Sequence, residues 1–559
     1  MISRLMRALP IAALLLLPAT PAAAAMIEVT TTADEFADPG PGTGCSLREA
    51  VRAANSDTAY GGCPAGDGSD TIVVGVGTYG LTLPGTLEDA AATGDLDILE
   101  DVTITGDGAV STTIDGGGLE HVLHVDPNPG GDGPSLTLTG VTIRGGVAPM
   151  GEPNGGGIYV EYEGGLALDR VLITGNRARD TGGGLQANDD GLVTVTNSSI
   201  SGNVSDNQAA GIGNWNDSVM TLSNSTVHGN IAESSGGGII NENSAALTIA
   251  NSTISENVST MGEGGGIHIN NDGTLTITNS TISGNEAEED GGGIFVNADE
   301  PTIALTNVTM AGNAADRDGS DDGDGGGISI EPPYLGTFTL KNTLIGDNTD
   351  ATPGGGTVRH DCSAEVLGPV TSQGNNLIED TTGCTIDGTT TGDVTGMDPR
   401  LGPLADNGGP TLTQALLPDS PAIDGADPAA APPADQRGAP RNPDIGAYEL
   451  VLCAGTIVNR IGAEGNDVLV GTGGPDGFLA GAGNDRVKAL GGNDAACLGP
   501  GNDRAAGGGG KDILLGEQGK DRLRGQGGRD RLKGGPGKDR CSGGPGKDRA
   551  SCEKERKVP

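Results

Sequence analysis

Ten aspartates recur every nine residues without a slip: Asp467, Asp476, Asp485, Asp494, Asp503, Asp512, Asp521, Asp530, Asp539 and Asp548. A glycine stands two places before each of them, from Gly465 to Gly546. Glycine admits the backbone angles of a tight turn, and aspartate offers carboxylate oxygens to a hard cation. Repeated in phase, the pair builds a stack of turns that is also a ladder of Ca²⁺ sites, with all ten aspartates as expected ligands. The alternative is that the carboxylates serve only as turn formers, accepting backbone N–H groups. Asparagine precedes the aspartate at Asn466, Asn484, Asn493 and Asn502 and would be a good neighbour for a cation. Lys511, Lys520, Arg529, Lys538 and Lys547 take that place later, and a fixed positive charge so close opposes a dication, although a long stem can carry that charge outward into water. The best sites are therefore expected around Asp467, Asp476, Asp485 and Asp503.

The rest of the chain cannot fill one large compact core. The full sequence holds 101 glycines and only 2% aromatic residues, with a net charge of −43, yet it is too regular for disorder. A repeat architecture resolves the conflict, because each unit needs only a narrow apolar stripe that its neighbours cover. The acidity argues against nucleic-acid binding. It is unevenly placed: from Arg486 onward there are 17 Lys/Arg against 10 Asp/Glu, so an acidic body carries a basic end.

A longer repeat fills the body. Asn197-Ser-Ser-Ile-Ser-Gly-Asn203 returns as Asn224 to Asn230, Asn251 to Asn257, Asn279 to Asn285, Asn307 to Asn313 and, more loosely, Asn342 to Asn348. Gly-Gly-Gly-Ile or a close variant recurs between them, at Gly155, Gly182, Gly236, Gly264, Gly291 and Gly325. Within each unit, apolar residues alternate with Thr or Ser, as a strand with one buried face requires. Units of about 27 residues with short strands and glycine turns describe coils of a parallel β-helix, stacked about 4.8 Å apart. Val195, Leu222, Ile249, Ile277 and Leu305 should then form one aliphatic ladder. Asn197, Asn224, Asn251, Asn279 and Asn307 each satisfy N-x-[ST], but their period and expected inward phase favour amide ladders over glycosylation.

The beginning reads as an export signal over residues 1–25. Arg4 and Arg7 precede a short apolar run, Ile11 to Leu17, and Ala22 to Ala25 supply a cleavage site. That run is too short for a membrane anchor, and no later stretch is long and apolar enough to span a bilayer. A secreted or cell-surface protein, monomeric, is expected. In that setting eight cysteines favour disulfides. Proximity pairs Cys45 with Cys63, Cys362 with Cys384 and Cys541 with Cys552, leaving Cys453 and Cys497. Ser46 to Asn55 is the one clear helix, with Ser46 and Glu49 as a capping box, and is read as the lid on the open end of the coils. The expected organisation is a capping segment at 26–69, a β-helix at 70–450, a linker at 451–461, nonapeptide repeats at 462–550 and a basic tail at 551–559.

Cys45-Ser-Leu-Arg-Glu-Ala50 resembles the N-terminal CSLREA domain of secreted bacterial β-helix proteins. Asp398 to Pro410, Ser420 to Asp424, Asp435-Gln-Arg-Gly438 and Asp444-Ile-Gly-Ala-Tyr448 are similar to the closing motifs of choice-of-anchor Q proteins. The resemblance implies an all-β, pectin-lyase-like right-handed parallel β-helix at the cell surface, and implies no activity. The nonapeptides resemble repeats-in-toxin (RTX) sequences, best at Gly507 to Leu515 and Gly534 to Ser542. That likeness implies a parallel β-roll with Ca²⁺ held between turns.

The expected function is non-catalytic: calcium binding with adhesion or attachment to anionic envelope polymers or extracellular polysaccharide. The alternative is a calcium-assisted polysaccharide lyase or glycoside hydrolase. Its best candidates are Arg144, Arg170, Arg177 and Arg179 near Asp169 and Asp180, although charges on turns are usually solvated edges. The loops at Asn188, Asn216, Asn270 and Asn297 should stack into an acidic stripe.

Overall fold

A computed structural model describes residues 24–36, 44–127, 133–317, 319, 323–332, 335–351, 360–364 and 370–555. The expected export signal, apart from its last two residues, and the final four residues of the tail lie outside the described residues.

The body is a stack of coils in which every strand pairs in parallel with its equivalent one coil away. Residues 264–290 show the unit: strands at Ile267–Asn270, Thr274–Thr278, Thr281–Ser283 and Glu286–Ala287, separated by short turns. Repetition gives sheets of thirteen, ten, twelve and seven strands, which together enclose one aliphatic core. Val195, Leu222, Ile249, Ile277 and Leu305 are register partners in succession, and none is more than 1% exposed.

The Gly-Gly-Gly-Ile turn is explained by the narrowness of the coil. A Cβ on Gly265 would meet the backbone of Glu286, across the same coil, at 2.4 Å. One on Gly266 would lie 2.5 Å from the carbonyl oxygen of Gly293 on the next coil. These close backbone approaches favour glycine, although Ala210 holds the place equivalent to Gly265 in one coil.

The continuous amide ladder runs on a second set of asparagines, while in the expected set Asn279 donates to Asn251 and Asn342 to Asn307. Asn176, Asn203, Asn230, Asn257, Asn285 and Asn313 each donate from Nδ2 to the Oδ1 of the next, ending on Asn348, at 2.9–3.0 Å. These residues are fully buried, and each Oδ1 also accepts a backbone N–H from the coil before. Asn197, Asn224, Asn251, Asn279 and Asn307 instead sit at left-handed corners with φ of 49–55°. Asparagine is favoured there because its short polar side chain tolerates that conformation. Asn197 is exposed, whereas Asn279 and Asn307 are buried beneath residues 434–446.

The helix Leu47–Ser56 carries the expected capping box, and its apolar face packs on the first coils. Arg48 is fully buried and donates to Asp34 Oδ1 and to the carbonyls of Gly94 and Asp95, all at 2.7 Å. That arginine fastens the lid and is not placed for catalysis. The strand Met26–Val29, within the expected capping segment, already pairs with Asp70–Val74 in the first sheet.

The stacked coils were expected to reach residue 450, but they stop at Val394–Thr395. Residues 396–450 fold back along the outside, with a small antiparallel pair at Leu401–Ala405 and Thr413–Leu416. They bury a separate apolar cluster that includes Leu344, Leu416, Ile445 and Tyr448. Their specific motifs are fasteners. Gln436 bonds Thr281 Oγ1 and the carbonyl of Ser252 at 2.6 and 3.0 Å, and buried Arg437 pairs with Asp435 at 2.7 Å. Arg437 also stacks on Tyr448 and donates to Glu449 and Val458 carbonyls, which ties this strap to the start of the C-terminal repeats. All four disulfides are formed: the three expected by proximity and Cys453–Cys497.

Candidate metal centre

The nonapeptides wind a flat roll of two six-stranded parallel sheets. Successive repeats alternate between the sheets, so stacked equivalents are 18 residues apart, as in Arg504–Gly510 on Arg522–Gly528. Phe478, Val487, Leu514, Leu523 and Leu532, each two residues after an aspartate, fill the interior and are at most 1% exposed.

The glycine two places before each aspartate sets how closely the turns stack. A Cβ on Gly501, Gly519 or Gly537 would sit 1.4 Å from the carbonyl oxygen of the turn beneath, and all three residues but Gly501 have φ above +150°. Each aspartate is held between such turns. Its Oδ1 accepts the backbone N–H of the aspartate 18 residues earlier, at 2.8–3.1 Å, from Asp467 N on Asp485 through to Asp530 N on Asp548. The turn-forming role is therefore real, but it uses one oxygen of two. The Oδ2 atoms of Asp485, Asp494, Asp503, Asp512, Asp521, Asp530 and Asp539 are buried with no hydrogen-bond donor. An orphaned buried acceptor costs roughly 1–3 kcal/mol, and more when it is charged. Seven in two stacked columns fit a site for a hard dication, which neutralises the carboxylates and accepts oxygen ligands. Asp467 and Asp476 differ, because their Oδ2 atoms accept from Ala463 N and from Thr472 N and Oγ1.

The residues before the aspartates take two courses. Asn484 and Asn502 do not face a cation; their N and Nδ2 groups donate to Asn466 and Asn484 in an exposed ladder at 2.7–3.1 Å. Lys511, Lys520, Arg529, Lys538 and Lys547 are all exposed, so their stems carry the charge outward into water. The preference for the first half of the ladder loses its basis, since the orphaned oxygens run from Asp485 to Asp539 across both halves. In the later repeats the carboxylate also lies tight against the turn: a Cβ on Gly507, Gly516, Gly525 or Gly534 would be 2.1–2.5 Å from Oδ2 of its aspartate. Ala480, Ala489 and Leu498 hold that place before Asp485, Asp494 and Asp503.

The other sequence candidates do not converge. Arg144 pairs with Asp115, Arg170 with Asp169 and Arg177 with Asp206, on different faces of the coils. Arg179 donates to Ala148 O, and Asp180 accepts from Asn207. The loops expected to form an acidic stripe do stack, but amides knit them: Asn216 donates to Asn188 and Asp189, Asn243 to Asn216, and Asn271 to Asn243. Sequence reasoning passed over a buried cluster of Asp95, His121 and His124, in which the two histidines are three residues apart and Asp95 comes from the preceding coil.

A family model for the right handed β-helix region matches residues 129–315 and 210–396. The model for the RTX calcium-binding nonapeptide repeat matches residues 461–495, 499–523 and 515–550. Calcium is the cofactor of these repeats. The chain thus joins a right-handed parallel β-helix to an RTX roll. Among solved structures, pectate lyase Pel9A is similar, with 16% identity, a TM-score of 0.44, and coverage of 76% of this chain and 96% of that one. No curated protein matches the chain.

Burial, and then the stacked aspartates on either side, push Asp503 and Asp512 up to about 6; burial and Asp539 do the same for Asp521. A carboxyl whose pKa is raised on folding makes the native state bind more protons than the unfolded chain between roughly pH 4 and 6. The metal-free roll therefore gains stability as pH falls through about 6 and is least stable above it. In thermal melts of metal-free protein, the transition that added calcium shifts should have a higher midpoint at pH 5 than at pH 7. A midpoint that falls with acidification would contradict the assignment.

Proposed function

We propose that the chain is an exported, non-catalytic β-helix rod, and that its aspartate ladder holds the calcium that fastens the C-terminal roll. The observation that carries the metal assignment is the set of seven buried, donorless Oδ2 atoms from Asp485 to Asp539. Calcium supplies charge neutralisation between turns that would otherwise repel, so binding and folding of the roll are coupled. Calorimetric titration of the full chain should show calcium binding with a gain of β signal by circular dichroism. Replacing Asp503, Asp512 and Asp521 with asparagine should lower the stoichiometry. Equal heats in wild type and triple variant would remove the aspartates from the role.

The roll then presents a cationic face to anionic envelope polymers or extracellular polysaccharide. Arg486, Arg504, Arg522 and Arg540 are register partners in one sheet, all exposed, and rise by about 4.8 Å per step. Lys488 and Arg524 border the same shallow groove. A linear polyanion matches such a row, and its attraction is screened by salt. The cap and the strap, with Arg48, Gln436 and Arg437 as fasteners, support reading residues 26–450 as a CSLREA and choice-of-anchor Q body rather than an enzyme. In calcium, the protein should bind immobilised polygalacturonate and elute with moderate salt, and Arg504→Gln with Arg522→Gln should elute earlier. Retention through high salt, or no change in the double variant, would contradict this role.

A further inference from the structure

A buried cluster of different chemistry lies at the capped end of the β-helix. Asp97, His124, Tyr159 and Gln186 are register partners one coil apart, and all four are at most 3% exposed. Residues 81–95 and 145–155 flank this row, and beside it sit Asp95 and His121, also at most 2% exposed. One ligand atom from each of Asp95, His121 and His124 can be chosen so that all lie within 4.8 Å of one another.

The hydrogen bonds fix which ring nitrogens are available. His121 Nδ1 is 3.0 Å from the carbonyl oxygen of Gly155, which can only accept, so Nδ1 carries the proton. His121 Nε2 is left with a lone pair, fully buried, with no hydrogen-bond partner and with Glu152 Oε2 at 3.8 Å. His124 Nε2 is 3.2 Å from Glu161 Oε2, which likewise makes Nε2 the donor. Its Nδ1 then faces Asp97 Oδ1 at 4.0 Å, too far for a hydrogen bond, and that oxygen has no donor either. Asp95 Oδ1 and Glu120 Oε2 are buried and unpartnered in the same cluster. Imidazole and carboxylate atoms without a hydrogen-bond partner are thus gathered in one buried cluster.

We propose that Asp95, His121 and His124, with Asp97 beside them, bind one zinc-class divalent cation that pins two successive coils together. Mixed nitrogen and carboxylate ligands suit zinc, while calcium prefers oxygen alone, so the site is chemically distinct from the ladder. The outer partners already have the arrangement that orients metal-bound histidines: a backbone carbonyl on His121 and a carboxylate on His124. Burial of all three ligands marks a closed structural site with no place for substrate. Its location gives it work, since Asp95 also carries the carbonyl that holds Arg48 of the lid.

The test uses the full chain, stripped of metal and then kept in saturating calcium. Zinc is titrated in competition with a chromophoric chelator, and cobalt is titrated separately while visible d–d absorption is followed. Wild type should take up one zinc per chain, and cobalt should give ligand-field bands. His121→Gln and Asp95→Asn should lose the bands and bind zinc more weakly by more than the ~10–100-fold that loss of an outer partner costs. The exposed-histidine variant His228→Gln should match wild type. Asp95→Asn preserves shape, so it keeps the test decisive if His121→Gln fails to fold. No zinc uptake by folded wild type, or unchanged uptake in Asp95→Asn, would overturn the proposal.

Discussion

In-register stacking of parallel strands governs everything else in this molecule. Each residue lies above its equivalent, one coil of about 27 residues or two nonapeptides away, at the spacing set by backbone hydrogen bonds. A residue type is therefore tolerated according to how it behaves beside copies of itself. Aliphatic side chains pack, and amides bond head to tail, which is why Ile249 and Asn257 recur in columns. Carboxylates stacked this way repel. The ladder from Asp485 to Asp539 satisfies one oxygen with the neighbouring turn and leaves the other for a cation.

Stacking also makes the ends the weak points, because an uncovered coil presents unpaired backbone. The helix Leu47–Ser56 covers one end, with Arg48 and the Cys45–Cys63 disulfide holding it. At the other end, residues 396–450 pass back over Ser252, Thr281 and Asn342, and Cys453–Cys497 joins the first repeats of the roll together. The two metal chemistries divide along the same line. Oxygen ligands repeat where the chain repeats, and the nitrogen-containing cluster lies where the coils are capped.

Much of this was legible in the sequence because periodicity is a direct image of stacking. The coil length, the aliphatic ladder at Val195 to Leu305, the capping box and the disulfide pairs all follow from spacing or proximity. What spacing could not give was phase. Asn197 and Asn203 recur with the same period, but only the structure shows that Asn203 points inward and Asn197 turns a left-handed corner. The same limit hid the backward fold of the strap. His121 and His124 stand as a His-x-x-His pair in the sequence, but their partner Asp95 is brought near by the coil and not by any motif.

The central claim is that calcium closes the aspartate columns. Hydrogen exchange read by mass spectrometry on the full chain, with calcium and after its removal, tests it most directly. Stripping calcium should expose the backbone amides of Asp485 to Asp530, which donate to the ladder, while the coils between residues 135 and 315 stay protected. Equal protection of those amides in both states would mean that the turns hold themselves, and the account of the ladder as a calcium-dependent fastener would be wrong.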